Sequence, residues 1–332
     1  MLELAESRLD GRREGKKDGR GGKSLLIAKY RWLVGVLATF LSNIHIANFA
    51  KGSLYRGKAK SVCVPGLNCY SCPAATGACP IGAFQAVVGS ADFEMSIDHY
   101  GSSGSADFGF SYYITGIAIF VGVMLGRVVC GFLCPFGWFQ ELLYKIPSRK
   151  ISTKKVGWLT YVKYFVLAVF VVLLPMIVMD EVGLSNPFFC KYICPAGILE
   201  GAIPLALADS SIRAALGLLF SWKLAVLALV VLGSVMVYRP FCKWLCPLGA
   251  FYSLFNSIAF VSLTIDRNKC ISCGKCNRVC KMDVNVMEHE NDRECIRCGH
   301  CIKACPTNAI SFACPFSHRN LEMKKKYSEE LK

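Results

Sequence analysis

Histidine is scarce in this chain of 332 residues. His45, His99, His289, His300 and His318 form no spaced pair on two apolar spans, which argues against a b-type haem and leaves them ordinary structural roles. Also missing are a Gly-rich dinucleotide fingerprint after a strand, a phosphate loop and a hydrolytic triad, so nucleotide-dependent and hydrolytic chemistry have no seat. No signal-peptide cleavage pattern precedes the first apolar run, which is long enough to stay as an anchor. Acidic residues are few, 23 against 38 Lys and Arg, for a net charge of +15. That balance raises nucleic acid as a partner, yet no basic stretch carries stacking aromatics, and the cations sit beside apolar spans as the positive-inside rule requires. No nucleic-acid role is expected.

Cysteine and apolar residues, by contrast, are plentiful. Nineteen cysteines fall mostly in metal-type spacings rather than in the small secreted frame that disulfides favour, which points to a reducing cytoplasm and an anaerobic life. A hydrophobic fraction of 54% and a mean hydropathy of +0.41 point to a membrane domain.

Near the end of the chain stand two complete C-x2-C-x2-C-x3-C runs, Cys270-Ile-Ser-Cys273-Gly-Lys-Cys276-Asn-Arg-Val-Cys280 and Cys295-Ile-Arg-Cys298-Gly-His-Cys301-Ile-Lys-Ala-Cys305. Three thiolates at this spacing wrap one [4Fe–4S] cube, and the fourth serves the other cube. Cys270, Cys273, Cys276 and Cys305 are therefore expected to hold one cluster, and Cys295, Cys298, Cys301 and Cys280 the second. Zinc sites also use closely spaced cysteine pairs, but two full runs in tandem favour the cubes. The first run ends in Cys280-Lys281 where the second has Cys305-Pro306, a departure that removes no ligand.

Upstream, four apolar spans are expected at 32–50, 108–129, 157–179 and 217–238, each near the ~20 residues that cross a ~30 Å hydrocarbon core. Arg127, Lys163, Lys223 and Arg239 lie at span ends, where they would snorkel, and Trp32, Trp158 and Trp222 suit an aromatic belt. Pro175 should end or kink the third span. The distribution of Lys and Arg puts both termini in the cytoplasm and the segments 51–107 and 180–216 outside. Residues 1–24 read as a basic disordered arm, 25–150 and 151–261 as two membrane repeats, 262–320 as the ferredoxin domain and 321–332 as a tail.

The repeats rest on the signature Cys-Pro-x-Gly, which occurs four times: Cys79–Gly82, Cys134–Gly137, Cys194–Gly197 and Cys246–Gly249. Three copies are preceded by another cysteine four residues earlier, Cys130, Cys190 and Cys242. Cysteines four apart in a helical turn share a face, proline ends the turn, and glycine permits the bend that follows. Two such pairs supply four thiolates, so Cys130, Cys134, Cys242 and Cys246 are expected to hold a cluster at the inner face, with redox thiol pairs or simple packing as the rival readings. An outer cluster is expected on Cys72, Cys79, Cys190 and Cys194, with Cys69 the rival to Cys72 and structural disulfides the competing reading. Cys63 and Cys69 are then free for a disulfide or another acceptor, and Cys314 reads as a packing residue. The fold class is a membrane all-α domain of four helices in a tandem two-helix duplication, followed by an α+β dicluster ferredoxin module.

The motifs at Cys130–Gly137 and Cys242–Gly249, followed by the two ferredoxin runs, resemble the NapH-type membrane ferredoxins and are similar to the membrane parts of the NosR and CcoG groups. The resemblance covers roughly residues 110–310 and implies membrane-linked electron transfer: quinol oxidation, delivery of electrons to an extracytoplasmic reductase, or maturation of one. The outer cysteines depart from the NapH pattern and suggest that electrons continue to the far side. The expectation is thus an electron-transfer oxidoreductase component of the cytoplasmic (inner) membrane with two to four [4Fe–4S] clusters. A soluble ferredoxin or dehydrogenase would be the cytoplasmic donor, and a quinone or an extracytoplasmic flavoprotein, cytochrome or thiol protein the acceptor. A quinone-linked oxidoreductase and a maturation factor that reduces a client's metal or disulfide are the alternatives.

Overall fold

The computed structural model describes residues 19–86, 108–178 and 186–313. Most of the basic arm, the remainder of the 51–107 loop, Cys314 and the tail lie outside the described residues. Three helices are long and apolar enough to cross a membrane: Ser24–Ser42, Val156–Ile177 and Leu218–Met236. They belong to a helical membrane region joined to a C-terminal module that carries a small sheet.

Helix α1 (Gly19–Ser42) begins inside the expected arm and ends before the expected limit of the first span. Its end is set by polar side chains that turn back on the last carbonyls, with Ser42 Oγ donating to Ala38 O at 2.8 Å and Asn43 Nδ2 to Thr39 O at 3.1 Å. Helix α2 (Phe108–Leu125) occupies the second expected span, though its described apolar part, Tyr113–Leu125, is shorter than the other three. Two short helices follow, α3 (Val128–Phe132) and α4 (Pro135–Tyr144). The third span, α5 (Val156–Ile177), widens into a π-helix over Leu167–Leu173, just before Pro175 removes an amide from the ladder. After α6 (Gly197–Ala208) and α7 (Leu218–Met236) come α8 (Pro240–Trp244) and α9 (Pro247–Phe255).

The terminal module pairs β1 (Ser262–Ile265) with β2 (Ile310–Ala313) antiparallel, in a register that sets Ser262 opposite Ala313 and Ile265 opposite Ile310. Between them lie α10 (Lys275–Val279) and α11 (His300–Ala304). The module packs on the start of α1. Phe312 N donates to Ser24 Oγ at 3.1 Å. A Cβ on Gly299 would stand 2.6 Å from Ala28 Cβ, and its φ of +75° is one that glycine adopts without strain.

Buried ion pairs fasten the module to the helices. Arg127 and Lys163, both fully buried, converge on Glu294, with Arg127 Nη1 at 2.8 Å and Lys163 Nζ at 2.6 Å from its oxygens. Lys243 pairs with Asp283 at 2.5 Å. Arg239, also buried, joins Arg31 on Glu141, which accepts from Arg31 at 2.8 Å. The snorkelling expected of Arg127, Lys163 and Arg239 is therefore corrected: all three point inward, because a carboxylate distant in sequence waits for each. Lys281, the residue that replaces proline after the first run, places its ammonium 5.1 Å from the Tyr144 ring and 5.2 Å from the Tyr238 ring. Its departure from the usual pattern serves this docking.

Depth can be read along α1. Arg31 donates to Gly131 O at 3.1 Å, and a Cβ on Gly35 would lie 3.1 Å from the Trp138 ring, so α3 and α4 sit beside the middle of the helix. Ser42, at its far end, accepts from Asn68 at 3.3 Å. The rise from Gly35 to Ser42 is about 10 Å at ~1.5 Å per residue.

Burial alone would raise the pKa of Glu294, but the charges of Arg127 and Lys163 outweigh it and hold the carboxyl below its ordinary value of 4.5. A depressed folded pKa contributes stability above the unfolded value and loses it as pH falls through the folded one. Melting of the wild-type protein in detergent should thus hold steady above about pH 5 and fall in more acid buffer. Glu294→Gln should cost about 3 kcal/mol at neutral pH and flatten the acid limb. An acid limb identical to wild type in that variant would rule out this role for the carboxylate.

Candidate metal centres

The two ferredoxin runs fold to one backbone pattern. Ser272 and Arg297, Gly274 and Gly299, and Asp283 and Asn308 occupy matched positions after the corresponding cysteines, and all six have positive φ. The glycines open α10 and α11, which carry Cys276 and Cys301, and the chain leaves each helix at Cys280 or Cys305 with extended geometry. Cys295, Cys298, Cys301 and Cys280 lie near enough that charge on one bears on the others. Cys270 and Cys273 bear likewise on Cys276. Cys305 Sγ accepts from Ala309 N at 3.3 Å.

The four Cys-Pro-x-Gly motifs also share one local form. In three of them the second cysteine's amide closes a wide turn onto the residue before the first cysteine: Cys134 N to Val129 O at 3.1 Å, Cys194 N to Phe189 O at 2.9 Å and Cys246 N to Phe241 O at 2.9 Å. Proline then begins the next helix at a position where no amide is needed, and the cysteine caps it. The glycine amide turns back onto the sulfur at 3.4 Å for Gly137 on Cys134 and 3.4 Å for Gly249 on Cys246. Gly82 does the same for Cys79, and Gly197 for Cys194. A helix start with amides aimed at sulfur favours the thiolate over the thiol.

The structure brings Cys130, Cys134, Cys242 and Cys246 together. Cys130 bears electrostatically on the other three and Cys134 and Cys242 on Cys246, and burial is the largest cause that pushes the Cys134, Cys242 and Cys246 thiols up. Each arginine reaches across to the other cysteine motif. Arg239 donates to Cys130 O, and Arg127 Nη2 lies 3.5 Å from Cys242 O. Gln140, missed in the sequence, donates to Cys242 Sγ at 3.1 Å. Gly131, between Cys130 and Cys134, leaves room for Ile296 O, and a Cβ there would collide with it. The second ferredoxin run thus rests directly on the first inner pair.

Beyond this set, away from the ferredoxin module, lies a cavity of about 570 Å³. Cys69, Cys79, Cys190 and Cys194 line it, with Lys60 and Lys223 at its walls. Cys72, expected in this group, does not line it. Its sulfur instead lies 3.7 Å from Asn43 Oδ1 in a separate buried cluster with Ala74 and Ala75. The reason is the path of the loop: Cys69 N donates to the half-buried Glu200 at 2.7 Å, which turns the Cys69 side chain into the cavity. Glu200 is raised to about 7, chiefly by burial. Lys223 Nζ donates to Cys190 O at 3.2 Å instead of lying free at a span end. Cys63 is half-buried and bridges to Ala78 through its backbone.

None of the 18 described cysteines forms a disulfide, and among the described residues no group of three or more His, Cys, Asp or Glu closes on a single-ion site. The donor chemistry suits [4Fe–4S] groups: all-sulfur sets, with backbone or glutamine N–H groups aimed at several of the sulfurs and cations behind.

A family described as "4Fe-4S binding domain" matches residues 109–154, 164–203 and 218–262, and one described as "4Fe-4S dicluster domain" matches 262–306. An uncharacterized protein of Methanocaldococcus jannaschii, MJ0750, is 30% identical over 214 residues, which are 61% of this chain and 79% of that protein. The methylamine utilization ferredoxin-type protein MauN of Methylorubrum extorquens is 26% identical over 172 residues, 49% of this chain and 50% of MauN. Likeness to the ferredoxin-type protein NapH of Escherichia coli is weaker, 21% over 155 residues, 46% of this chain and 47% of NapH. No solved structure matches. The arrangement is therefore broader than the NapH type: the chain belongs to a family of ferredoxin-type, 4Fe–4S-binding membrane proteins to which MauN and NapH are distantly related.

Proposed function

We propose that the protein carries electrons across the cytoplasmic membrane, between a soluble ferredoxin or dehydrogenase on the side of its ferredoxin module and an acceptor at or beyond the far face. The observation that carries this reading is the cavity lined by Cys69, Cys79, Cys190 and Cys194 on the side of the inner cysteines opposite the module. The chain would hold two [4Fe–4S] groups in the module, one on Cys130, Cys134, Cys242 and Cys246, and one on the cavity cysteines, with Cys69 in the place first given to Cys72. Such groups supply one-electron exchange without bond-making.

The protein's own part is placement and charge. Arg127, Arg239 and the glycine amides offset the negative charge of the thiolates. Gly131 lets the second ferredoxin run approach, and the Glu294 and Asp283 pairs hold it there. Four spans in two related pairs, with both termini in the cytoplasm, remain part of the reading. Its support is the matched turns around Cys130–Gly137 and Cys242–Gly249 and the packing of the start of α1 against the module. Acceptors within this proposal are a quinone, or a flavoprotein, cytochrome or thiol protein outside.

Iron and acid-labile sulfide on protein purified without oxygen should reach about sixteen irons per chain. Cys190→Ser/Cys194→Ser and Cys69→Ser should each lose about four, while Cys72→Ser loses none. About eight irons in wild type would leave only the ferredoxin module loaded and sink the transmembrane path.

Alkylation separates metal ligands from redox-active thiols. In the metal-free chain at about pH 8, iodoacetamide should label the exposed Cys273 well ahead of Cys134 and Cys194, which burial raises, Cys194 to about 12. Equal labelling rates would favour a thiol–disulfide role.

A further inference from the structure

The Cys-rich loop before α2 would be expected to stay at the far surface, yet its segment 65–69 runs inward until it touches the inner cysteine set. A Cβ on Gly66 would stand 2.9 Å from Cys134 Cα and 3.0 Å from Pro135 Cδ, so backbone meets backbone there. The segment is pinned at both ends. Tyr252, buried on α9, donates its hydroxyl to Pro65 O at 3.0 Å. Asn68, fully buried, donates from Nδ2 to Ser42 O at the end of α1.

Between these anchors, successive amides reach different groups. Leu67 and Asn68 line the cavity beside Cys79 while Gly66 abuts Cys134, and the backbone amides of Leu67 and Asn68 favour the thiolates of Cys134 and Cys79 respectively. The next amide, of Cys69, goes to Glu200. Two adjacent peptide groups therefore serve one sulfur of the inner set and one of the cavity set.

We propose that residues 65–69 form a positioning strap shared by the two membrane cysteine sets, hydrogen-bonding one sulfur of each and so tying the reduction potentials of both to a single backbone conformation. This rests on the reading above, in which both sets hold [4Fe–4S] groups. An N–H donor to a ligand sulfur stabilises the more negative, reduced state and raises its potential. A movement that loosens the strap would withdraw a donor from both sets at once, so both potentials would move the same way. No atom or proton is transferred.

The test is a redox titration followed by electron paramagnetic resonance on the full-length, metal-loaded protein, comparing wild type with Gly66→Ala and Tyr252→Phe. Gly66→Ala forces the strap off Cys134, and Tyr252→Phe releases only its hold on Pro65. Both variants should keep about sixteen irons and show negative shifts at both membrane centres, with the two ferredoxin centres unmoved. The cavity centre in Gly66→Ala is the discriminating readout, since that change adds only a methyl group against Cys134, whereas Tyr252 lies within electrostatic reach of Cys79 as well as of the inner set. Full loading with the cavity centre unshifted overturns the strap and leaves the electron-carrying function standing. Wild type with only about eight irons removes that function and the strap together. Where Gly66→Ala fails to load, Asn68→Ala, which frees the strap from Ser42, decides through a shift at the inner centre.

Discussion

A thiolate buried away from water must be met by positive charge or by hydrogen-bond donors, and the membrane half of this protein is arranged around that requirement. The motif Cys-Pro-x-Gly is a compact solution. Proline starts a helix without wasting an amide, and the glycine that follows sends its own amide back to the sulfur. Arg127 and Arg239 add cationic charge from behind, reaching the carbonyls of Cys242 and Cys130 respectively. The arginines in turn need anions, and Glu294 and Glu141 supply them. Ligand geometry, helix packing and domain docking therefore share one set of charges, so that a fault in any of them spreads to the others.

Much of the spatial grouping of the cysteines was legible because its members lie close together in sequence. Spacing alone grouped Cys295, Cys298, Cys301 and Cys280, and it paired Cys130–Cys134 with Cys242–Cys246, which the fold draws together. Which of Cys69 and Cys72 faces the cavity was not legible. It depends on a loop turning inward to reach Glu200, a contact across 131 positions of sequence. Gln140 could have been noticed with Glu141 as the polar pair in an otherwise apolar helix, at the place where the second inner motif has Tyr252. The span-end cations were misread for a related reason. A snorkelling arginine and a buried one look alike in sequence until the carboxylate that faces it is known. The limits of the first span failed more simply, because Ile44, Ile46 and Phe49 extend the apolar character past the polar residues that end the helix.

The contact of Ser24 and Ala28 with Phe312 and Gly299 also governs how the protein is made. Synthesis runs from the N-terminus at about 5–20 residues per second, so α1 leaves the ribosome long before the strand that will cover its first turns. Throughout that interval the apolar start of α1 has no partner, and the inner cysteines lie open where Ile296 will later rest. The ferredoxin module is then less an appendage than a lid, fitted last. Whatever those cysteines take up meets the least obstruction before that lid is in place.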